Sequence, residues 1–283
     1  MGARGIRIGV VAPASPLDPA LAEQTVELAR ALYPDRPLEL RFHPQCFLSS
    51  GHFAGDDETR ARAFLDLAND ASVDALWFAR GGYGSGRLAD RVLAGLMPAA
   101  SGKTYLGYSD AGALMAALYT RGFTDLAHGP MPADLRREGG EAAVKRALAY
   151  LVERSPSALE PTVRESGLTA AFNITVLSHL IGTPWQPDLK GHVVMLEDVS
   201  EHMYRIDRAL WHITANAAMR GIAGIRLGRC SAIPPNEPDF GETAEQVARH
   251  WCAVSGIPYL GAADIGHDIE NKVVPWGRLR VPS

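Results

Sequence analysis

The sequence predicts an α/β protein in which an N-terminal, doubly wound parallel sheet is followed by a smaller α+β domain. Two observations predict this fold class. Strand-like and helix-like segments alternate four times before residue 123, as they do in chains that build parallel sheets. Beyond residue 169 the alternation becomes irregular, and short strand candidates indicate a second domain packed against the first sheet.

The four N-terminal units are compact, β-branched runs, each followed by apolar residues at helical spacing. The predicted strands span 7–12, 38–43, 75–80 and 104–109, and the predicted helices span 18–33, 56–70, 87–96, 110–122 and 141–154. Ligands bind such sheets outside the carboxyl ends of the strands, so the loops after the third and fourth strands are candidate sites.

The second half of the chain has a less regular order of predicted strands and helices. Strands are predicted at 192–199, 221–232, 259–267 and 278–282, and a helix is predicted at 203–217. Residues 155–169 lose periodicity and collect Pro, Ser and Glu, which is typical of a linker. We therefore predict an N-terminal domain over 1–154, a linker over 155–169 and a C-terminal domain over 170–283.

Composition excludes several classes of partner. The 283 residues carry 28 Lys and Arg against 32 Asp and Glu, a net charge of −4 without a basic stripe, so neither nucleic acid nor an anionic membrane is an expected partner. Three scattered cysteines, Cys46, Cys230 and Cys252, are typical of reduced thiols. The apolar run at 8–12 is too short for a signal peptide and predicts a strand, and a cytoplasmic location is expected.

The stretch "LGYSDAGAL" nearly spells the G-x-S-x-G turn on which many hydrolases carry a nucleophile, with Ala111 in place of the last glycine. Ser109 would then lie at a sharp strand-to-helix junction, where the backbone N–H of Asp110 can bind an oxyanion. An ordinary helix N-cap at Ser109 or Asp110 explains the same residues, and this stretch alone leaves both interpretations open.

The glycine-rich stretch "ARGGYGSGR" leaves the neighbouring strand at the same edge of the sheet. Gly81 and Gly82 allow a backbone N–H to approach a substrate oxygen, and Arg80 can meet a carboxylate. Gly81 and Tyr83 are further candidates for substrate binding. Arg87 stands where a dinucleotide fingerprint needs Gly or Ala, and the lysine of a P-loop is absent, so the alternative is a plain turn.

A catalytic base is most plausibly a histidine, and two of the nine occupy suitable loops: His128 in "HGPM" and His267 in "DIGHDIEN". Glu197 and Asp198 close an apolar strand, so one carboxylate points to each side of it, and either can orient a histidine or simply be solvated. No compact spacing of metal ligands occurs, and neither a metal nor a cofactor is expected.

These blocks, in this order, resemble the LD-carboxypeptidase family of serine peptidases, which includes muramoyltetrapeptide carboxypeptidases and microcin C immunity peptidases. The resemblance runs through "RIGVVAPASP", "RGGYGSGRL", "LGYSDAGAL", "HGPM", "HVVMLEDV" and "GHDIENKVVPWG" and covers nearly the whole chain. It implies a β-rich C-terminal domain and an active site between the two domains.

The resemblance also implies the roles of the residues. Ser109 is the expected nucleophile, His267 the base and Glu197 the orienting acid, with the N–H groups of Asp110 and Gly82 as the oxyanion hole. The implied reaction releases the terminal D-alanine of a murein tetrapeptide during peptidoglycan recycling, in a homodimer. The alternatives are a peptidase of aminoacyl- or peptidyl-nucleotide conjugates and, in another class, a non-catalytic muropeptide-binding module.

The sequence departs from the family pattern at two places, neither of which touches the expected triad, and the first bears on substrate preference. Residues 170–177 keep only Asn173 of a Gly-Gly-Asn-Leu stretch, and Ala111-Gly112 replace a larger residue and a threonine. The immunity peptidases tend to be longer, so the length of 283 residues favours the peptidoglycan-recycling branch.

Overall fold

The computed structural model describes residues 5–279, which form two β-sheets with connecting helices. The first sheet is built from β1 (Ile6–Val11), β2 (Leu38–Phe42), β3 (Ala75–Phe78), β4 (Thr104–Gly107) and β5 (Leu126–His128), all parallel, in the order β2-β1-β3-β4-β5. The helices of this half are α1 (Pro19–Leu32), α2 (Asp57–Ala68), α3 (Ala89–Gly95), α4 (Ala111–Thr120) and α5 (Glu141–Glu153). Strands β3, β4 and β5 are buried throughout, as expected in a sheet covered on both faces.

The second sheet is also mainly parallel. It contains β6 (Leu168–Asn173), β7 (His192–Val199), β8 (Gly224–Ser231) and β9 (Tyr259–Ala262) in that spatial order, connected by α6 (Ile174–Leu180), α7 (Met203–Ala215) and α8 (Ala244–Ser255). Parallel neighbours require crossover connections, and each of these three helices supplies one. The second half therefore repeats the strand–helix alternation of the first.

The end of the chain joins the two sheets. β10 (Val274–Pro275) pairs antiparallel with β5 of the first sheet, and β11 (Gly277–Arg278) pairs antiparallel with β6 of the second. Between them, the buried Trp276 packs against Phe172 and Tyr119, with ring centroids 4.4 and 5.8 Å apart. The short segment from β10 to β11 therefore joins the two sheets and fixes the distance between them.

Helix α4 lies at the junction between the sheets. Six of its ten residues are buried apolar side chains, and a Cβ added at Gly112 would meet Val176 of α6 at 3.6 Å and Phe172 of β6 at 3.7 Å. A small residue at position 112 therefore allows α4 to pack closely against the second sheet unit. The turn at the start of α4 carries Ser109, so this packing also positions the candidate nucleophile.

The predicted fold class is confirmed, with element boundaries shifted by a few residues. Strand β5 and the helices α6 and α8 were not predicted from the sequence. The predicted linker at 155–169 holds two short 3-10 turns and the first residues of β6, and the predicted strand at 278–282 falls partly on residues outside the described range. Within residues 5–279, no helix is both long enough and apolar enough to cross a bilayer.

Candidate active site

Ser109 occupies a sharp turn between β4 and α4. Its φ of +60° lies in the left-handed region, which residues with a Cβ rarely adopt. The next turn of backbone is already helical, since Gly112 N donates to Ser109 O at 2.9 Å. A residue held in this strained conformation at the carboxyl end of a parallel strand is typical of a nucleophile elbow.

The glycine-rich loop after β3 packs directly against this turn. A Cβ added at Gly81 would lie 3.0 Å from both Cβ and Oγ of Ser109, so a side chain there would crowd Ser109. The Asp110 carboxylate accepts hydrogen bonds from the backbone N–H groups of Gly84 at 3.2 Å and Ser85 at 2.8 Å, which fixes the loop to the nucleophile turn. Burial raises the pKa of Asp110, and these N–H donors oppose that rise.

A buried arginine holds the other side of the loop. The Arg60 guanidinium donates to the carbonyl oxygens of Gly84, Gly55 and Pro13 and pairs with Asp57. Arg60 is 0% exposed, although its place on α2 in the sequence resembles that of a solvated helix residue. It therefore connects three loops at the carboxyl edge of the first sheet.

Glu197 and His267 form a buried hydrogen-bonded pair. His267 Nδ1 lies 2.6 Å from Oε2 of Glu197, and the two side chains are 7% and 0% exposed. Burial raises the pKa of Glu197, and the hydrogen bond from His267 opposes that rise. With Nδ1 engaged, His267 Nε2 is the ring nitrogen left for chemistry, and in the part of the chain that the structure describes it has no hydrogen-bond partner.

Asp198 points to the opposite side of β7, as the alternation along a strand requires. Its carboxylate accepts hydrogen bonds from Asn173 Nδ2 at 2.8 Å and from the backbone N–H and the hydroxyl of Thr175 at 3.0 Å. Asn173 in turn caps α6 by accepting from Val176 N. Asp198 therefore stabilises the start of α6, and only Glu197 contacts a histidine.

The loop that carries His267 is anchored from both sheets. Arg229 of β8 binds the carboxylates of Asp264 and Asp268 on either side of the histidine. From the first half, Arg146 of α5 donates to the carbonyl oxygens of Ile269 and Asn271 at 2.9 and 2.8 Å. These contacts fix the imidazole relative to the sheet that carries Ser109.

His128 does not contact a carboxylate and is not placed as a base. It is 1% exposed, and its Nε2 lies 3.2 Å from Oδ1 of Asn271, which also accepts from Gly266 N. Because an oxygen that accepts from an N–H faces it, Nε2 donates. Burial lowers the pKa of His128 to about 3, so the ring is neutral and supports the loop of His267 through Asn271.

Ser109 and His267 line the same small pocket of about 100 Å³, which opens between the two sheets. Its other lining residues are Arg80, Gly81, Gly82, Tyr108, Met131, Ala133, Asp134, Arg136 and Arg137. Within residues 5–279, no hydrogen bond joins Ser109 Oγ to the imidazole. Hydrogen bonds between catalytic groups are often long before substrate binds.

The remaining predicted residues lie near this pocket in different ways. Arg80 is half-buried and donates to Pro16 O at 2.9 Å, and Gly82 lines the pocket with φ +116°. Tyr83 is 61% exposed beside His52 and Phe53, outside the pocket. The backbone N–H groups of Gly82 and Asp110 have no acceptor among the described residues.

Sequence reasoning missed the residues that follow β5. Tyr108 OH donates to Asp134 Oδ1 at 2.7 Å, and Arg137 pairs with the same carboxylate. The Tyr108 ring lies between the two histidines, 4.8 Å from His267 and 5.5 Å from His128. Burial raises the pKa of Tyr108 to about 12, so it stays protonated. The cluster of Asp and Arg after "HGPM" was the available signal.

Family models match both halves of the chain: the N-terminal domain of LD-carboxypeptidases at residues 8–129 and their C-terminal domain at residues 166–280. A Synechocystis sp. protein named as a carboxypeptidase is 33% identical over 235 residues, which cover 80% of this chain and 75% of that protein. The chain belongs to the LD-carboxypeptidase family.

Two further comparisons extend over nearly the full length of this LD-carboxypeptidase. The murein tetrapeptide carboxypeptidase of Pseudomonas aeruginosa is 27% identical over 294 residues, covering 97% of this chain and 92% of that protein. The solved structure of MccF in complex with glutamyl sulfamoyl guanosine matches with a TM-score of 0.77 and 17% identity, covering 97% and 92% of the two chains. At that identity, the second match supports the shared fold.

The strain at Ser109 predicts an unusual order of stability for two variants of this residue. Ser109→Ala keeps a Cβ at φ +60°, whereas Ser109→Gly removes the steric cost of about 1 kcal/mol or more that the left-handed conformation carries. Part of that gain is offset because glycine loosens the unfolded chain. Urea denaturation should show Ser109→Gly to be more stable than Ser109→Ala by up to about 1 kcal/mol.

The control is Ala113→Gly, at a helical position of α4, which should lose about 1 kcal/mol relative to wild type. If Ser109→Gly were less stable than Ser109→Ala, the turn would not be strained.

Burial of neutral His128 predicts a loss of stability in acid. Its pKa is about 3 in the folded protein and about 6.5 in the unfolded chain, so between these values the unfolded state binds more protons. Its contribution is complete above about pH 6.5, and stability should fall by up to about 1.4 kcal/mol per pH unit as the pH is lowered from there towards 3. In His128→Gln, which can still donate to Asn271, the unfolding free energy between pH 7.5 and 5 should depend less steeply on pH.

His250→Gln, at an exposed histidine, is the matched control and should follow the wild-type curve. Parallel curves for wild type and His128→Gln would contradict the buried neutral state.

Proposed function

We propose that this protein is a serine carboxypeptidase that removes the terminal D-alanine from murein tetrapeptides, with Ser109, His267 and Glu197 as its catalytic triad. The observation that carries the proposal is the 2.6 Å hydrogen bond between His267 and the fully buried Glu197, beside the pocket that the strained Ser109 lines. A buried carboxylate of this kind fixes the tautomer of an imidazole and stabilises its charged form.

In the proposed reaction, His267 Nε2 removes the proton of the Ser109 hydroxyl as its oxygen attacks the carbonyl carbon of the scissile amide. The tetrahedral intermediate collapses when His267 returns that proton to the leaving amine, and the acyl group remains on Ser109. A water molecule, activated by the same imidazole, then releases the shortened peptide. Glu197 stays ionised and balances the charge of the imidazolium.

The oxyanion of the intermediate is proposed to bind to the backbone N–H groups of Asp110 and Gly82. Both lie at the interface between the nucleophile turn and the glycine-rich loop, and the start of α4 adds a positive potential there. Asp110 serves this function through its backbone, while its side chain holds the loop.

The substrate class follows from the pocket and from the relative in Pseudomonas. Met131 and Ala133 leave room for a small side chain such as that of alanine, and Arg80 provides a cation for a terminal carboxylate. The full-length similarity to a murein tetrapeptide carboxypeptidase supports a murein peptide. We propose that the protein acts as a cytoplasmic homodimer in peptidoglycan recycling.

Ser109→Ala is expected to abolish D-alanine release, because it removes the nucleophile and leaves the fold unchanged. Turnover of a murein tetrapeptide should fall by several orders of magnitude, measured as free D-alanine. The experiment includes an aminoacyl sulfamoyl adenosine as a second substrate, because the fold is shared with MccF.

Ser101→Ala, at an exposed serine before β4, is the control and should match wild type. Near-normal D-alanine release by Ser109→Ala would end the triad proposal. Cleavage of the nucleotide conjugate alone would move the substrate to that class, and binding of the tetrapeptide without turnover or reaction with a fluorophosphonate would indicate a binding module.

Gly82→Ala tests the oxyanion hole. An added Cβ would lie 2.2 Å from Ser15 Oγ at a φ of +116°, so the loop must shift and carry the Gly82 N–H away from the oxyanion. Loss of one oxyanion donor typically costs about 10²–10³ in turnover, and kcat for D-alanine release should fall in that range.

Gly86→Ala is the matched control in the same loop, since its Cβ would make an ordinary contact with Ala113 at 3.4 Å. Equal kcat values for the two variants would remove Gly82 from the oxyanion hole.

A further inference from the structure

Three arginines line the pocket beside Ser109, and their charges are balanced differently. Arg137 pairs with Asp134 and donates to Tyr108 OH at 3.1 Å, so its charge is neutralised locally. Arg80 and Arg136 have no carboxylate partner within the described residues, and Arg80 donates one hydrogen bond to the carbonyl oxygen of Pro16. The pocket therefore keeps two uncompensated positive charges.

These two charges lie close enough to influence each other. Burial, followed by the charge of Arg136, lowers the pKa of Arg80. Two like charges in a partly desolvated pocket cost free energy unless an anion binds between them. Guanidinium groups bind carboxylates and phosphates through paired N–H donors, and of these two anions the proposed peptide substrate carries a carboxylate.

Arg136 is held in a rigid framework that is tied to the nucleophile turn. It ends the 3-10 turn Pro132–Arg136, in which Ala133 N donates to Ala79 O at 3.1 Å, directly before Arg80. Asp134 of the same turn accepts from Met131 N at 2.8 Å and from the hydroxyl of Tyr108, the neighbour of Ser109. The backbone that carries Arg136 is thus fixed relative to Arg80 and the candidate nucleophile, and the exposed Arg136 side chain extends from it to the pocket.

We propose that Arg136 acts with Arg80 to bind the C-terminal carboxylate of the substrate, so that the protein selects peptides with a free carboxyl end. The proposal rests on the function proposed above and adds Arg136 as the residue that determines this specificity. Arg137 takes no part in it, because Asp134 already neutralises its charge.

The test measures binding in the Ser109→Ala background, so that affinity is separated from turnover. The probes are an N-acetylated peptide ending in L-Lys-D-Ala with a free carboxylate and the same peptide with a C-terminal amide, titrated by calorimetry. We expect Ser109→Ala to bind the acid roughly 10- to 100-fold more tightly than the amide, the range of one or two charge-assisted hydrogen bonds. Adding Arg136→Gln should lower the ratio of the two affinities by about tenfold, because only Arg80 then remains to bind the carboxylate.

Arg121→Gln removes one exposed charge at the far end of α4 and is the control for net charge. It should keep the acid-to-amide affinity ratio of the Ser109→Ala protein. Far-ultraviolet circular dichroism verifies that each variant is folded. Arg136→Lys should recover part of the preference, because it restores the charge without the paired donors.

If Arg136→Gln left the acid-to-amide affinity ratio unchanged, the proposed carboxylate binding by Arg136 would be overturned. The proposed function would stay intact. The reverse outcome is also distinguishable. If the wild-type protein released no D-alanine while Arg136→Gln still lowered the acid-to-amide affinity ratio, the proposed function would be refuted and carboxylate binding by Arg136 supported.

Discussion

The left-handed backbone at Ser109 is the constraint on which the rest of the site depends. A serine keeps a φ of +60° only where several contacts hold its backbone in place, and this chain provides such contacts around Ser109. Gly81 lies against the hydroxyl, the Asp110 carboxylate binds the loop opposite, and Gly107 admits the ring of Phe78 below, where a Cβ would lie 2.7 Å from it. Arg60 then holds that loop through the carbonyl group of Gly84.

The second half of the chain supplies His267 and Glu197, the proposed base and its acid, and strand parity decides which carboxylate of β7 meets the histidine. Along β7, Glu197 and Asp198 face opposite sides, so a single strand both orients His267 and stabilises the start of α6. Gly228 of β8 leaves room for this arrangement, since a Cβ there would lie 2.6 Å from Ile265 and 3.0 Å from the Cβ of Glu197. The chain can therefore bring the loop of His267 over β7 at this point.

Much of this could be predicted from the sequence, because the decisive signals are local. The strand–helix alternation, the small neighbours of Ser109 and the paired acids at 197–198 each carry their own physical reason. The parallel second sheet was less predictable, since its strand candidates were short and α6 starts inside the stretch that departed from the family pattern. Asn173 is the one residue of the family pattern that this stretch retains, and the structure explains it, because Asn173 caps α6 and binds Asp198.

Residues that act through distant contacts could not be predicted. Arg60 and Arg146 have ordinary helical sequence contexts, and only the fold shows that one binds the glycine-rich loop and the other the loop of His267. Asp134 neutralises Arg137 and leaves Arg136 because a 3-10 turn brings residues three apart together, and the sequence did not predict that turn.

The two histidines on either side of Tyr108 show how surroundings decide the role of a residue type. His128 ends β5, His267 follows β9, and both lie close to the same phenol ring. His267 has a carboxylate at Nδ1, whereas His128 has only an amide oxygen and complete burial, which keep it neutral. A second charged imidazole this close would repel the imidazolium that the proposed reaction forms at His267. A neutral His128 avoids that repulsion while it supports the loop that carries the proposed base.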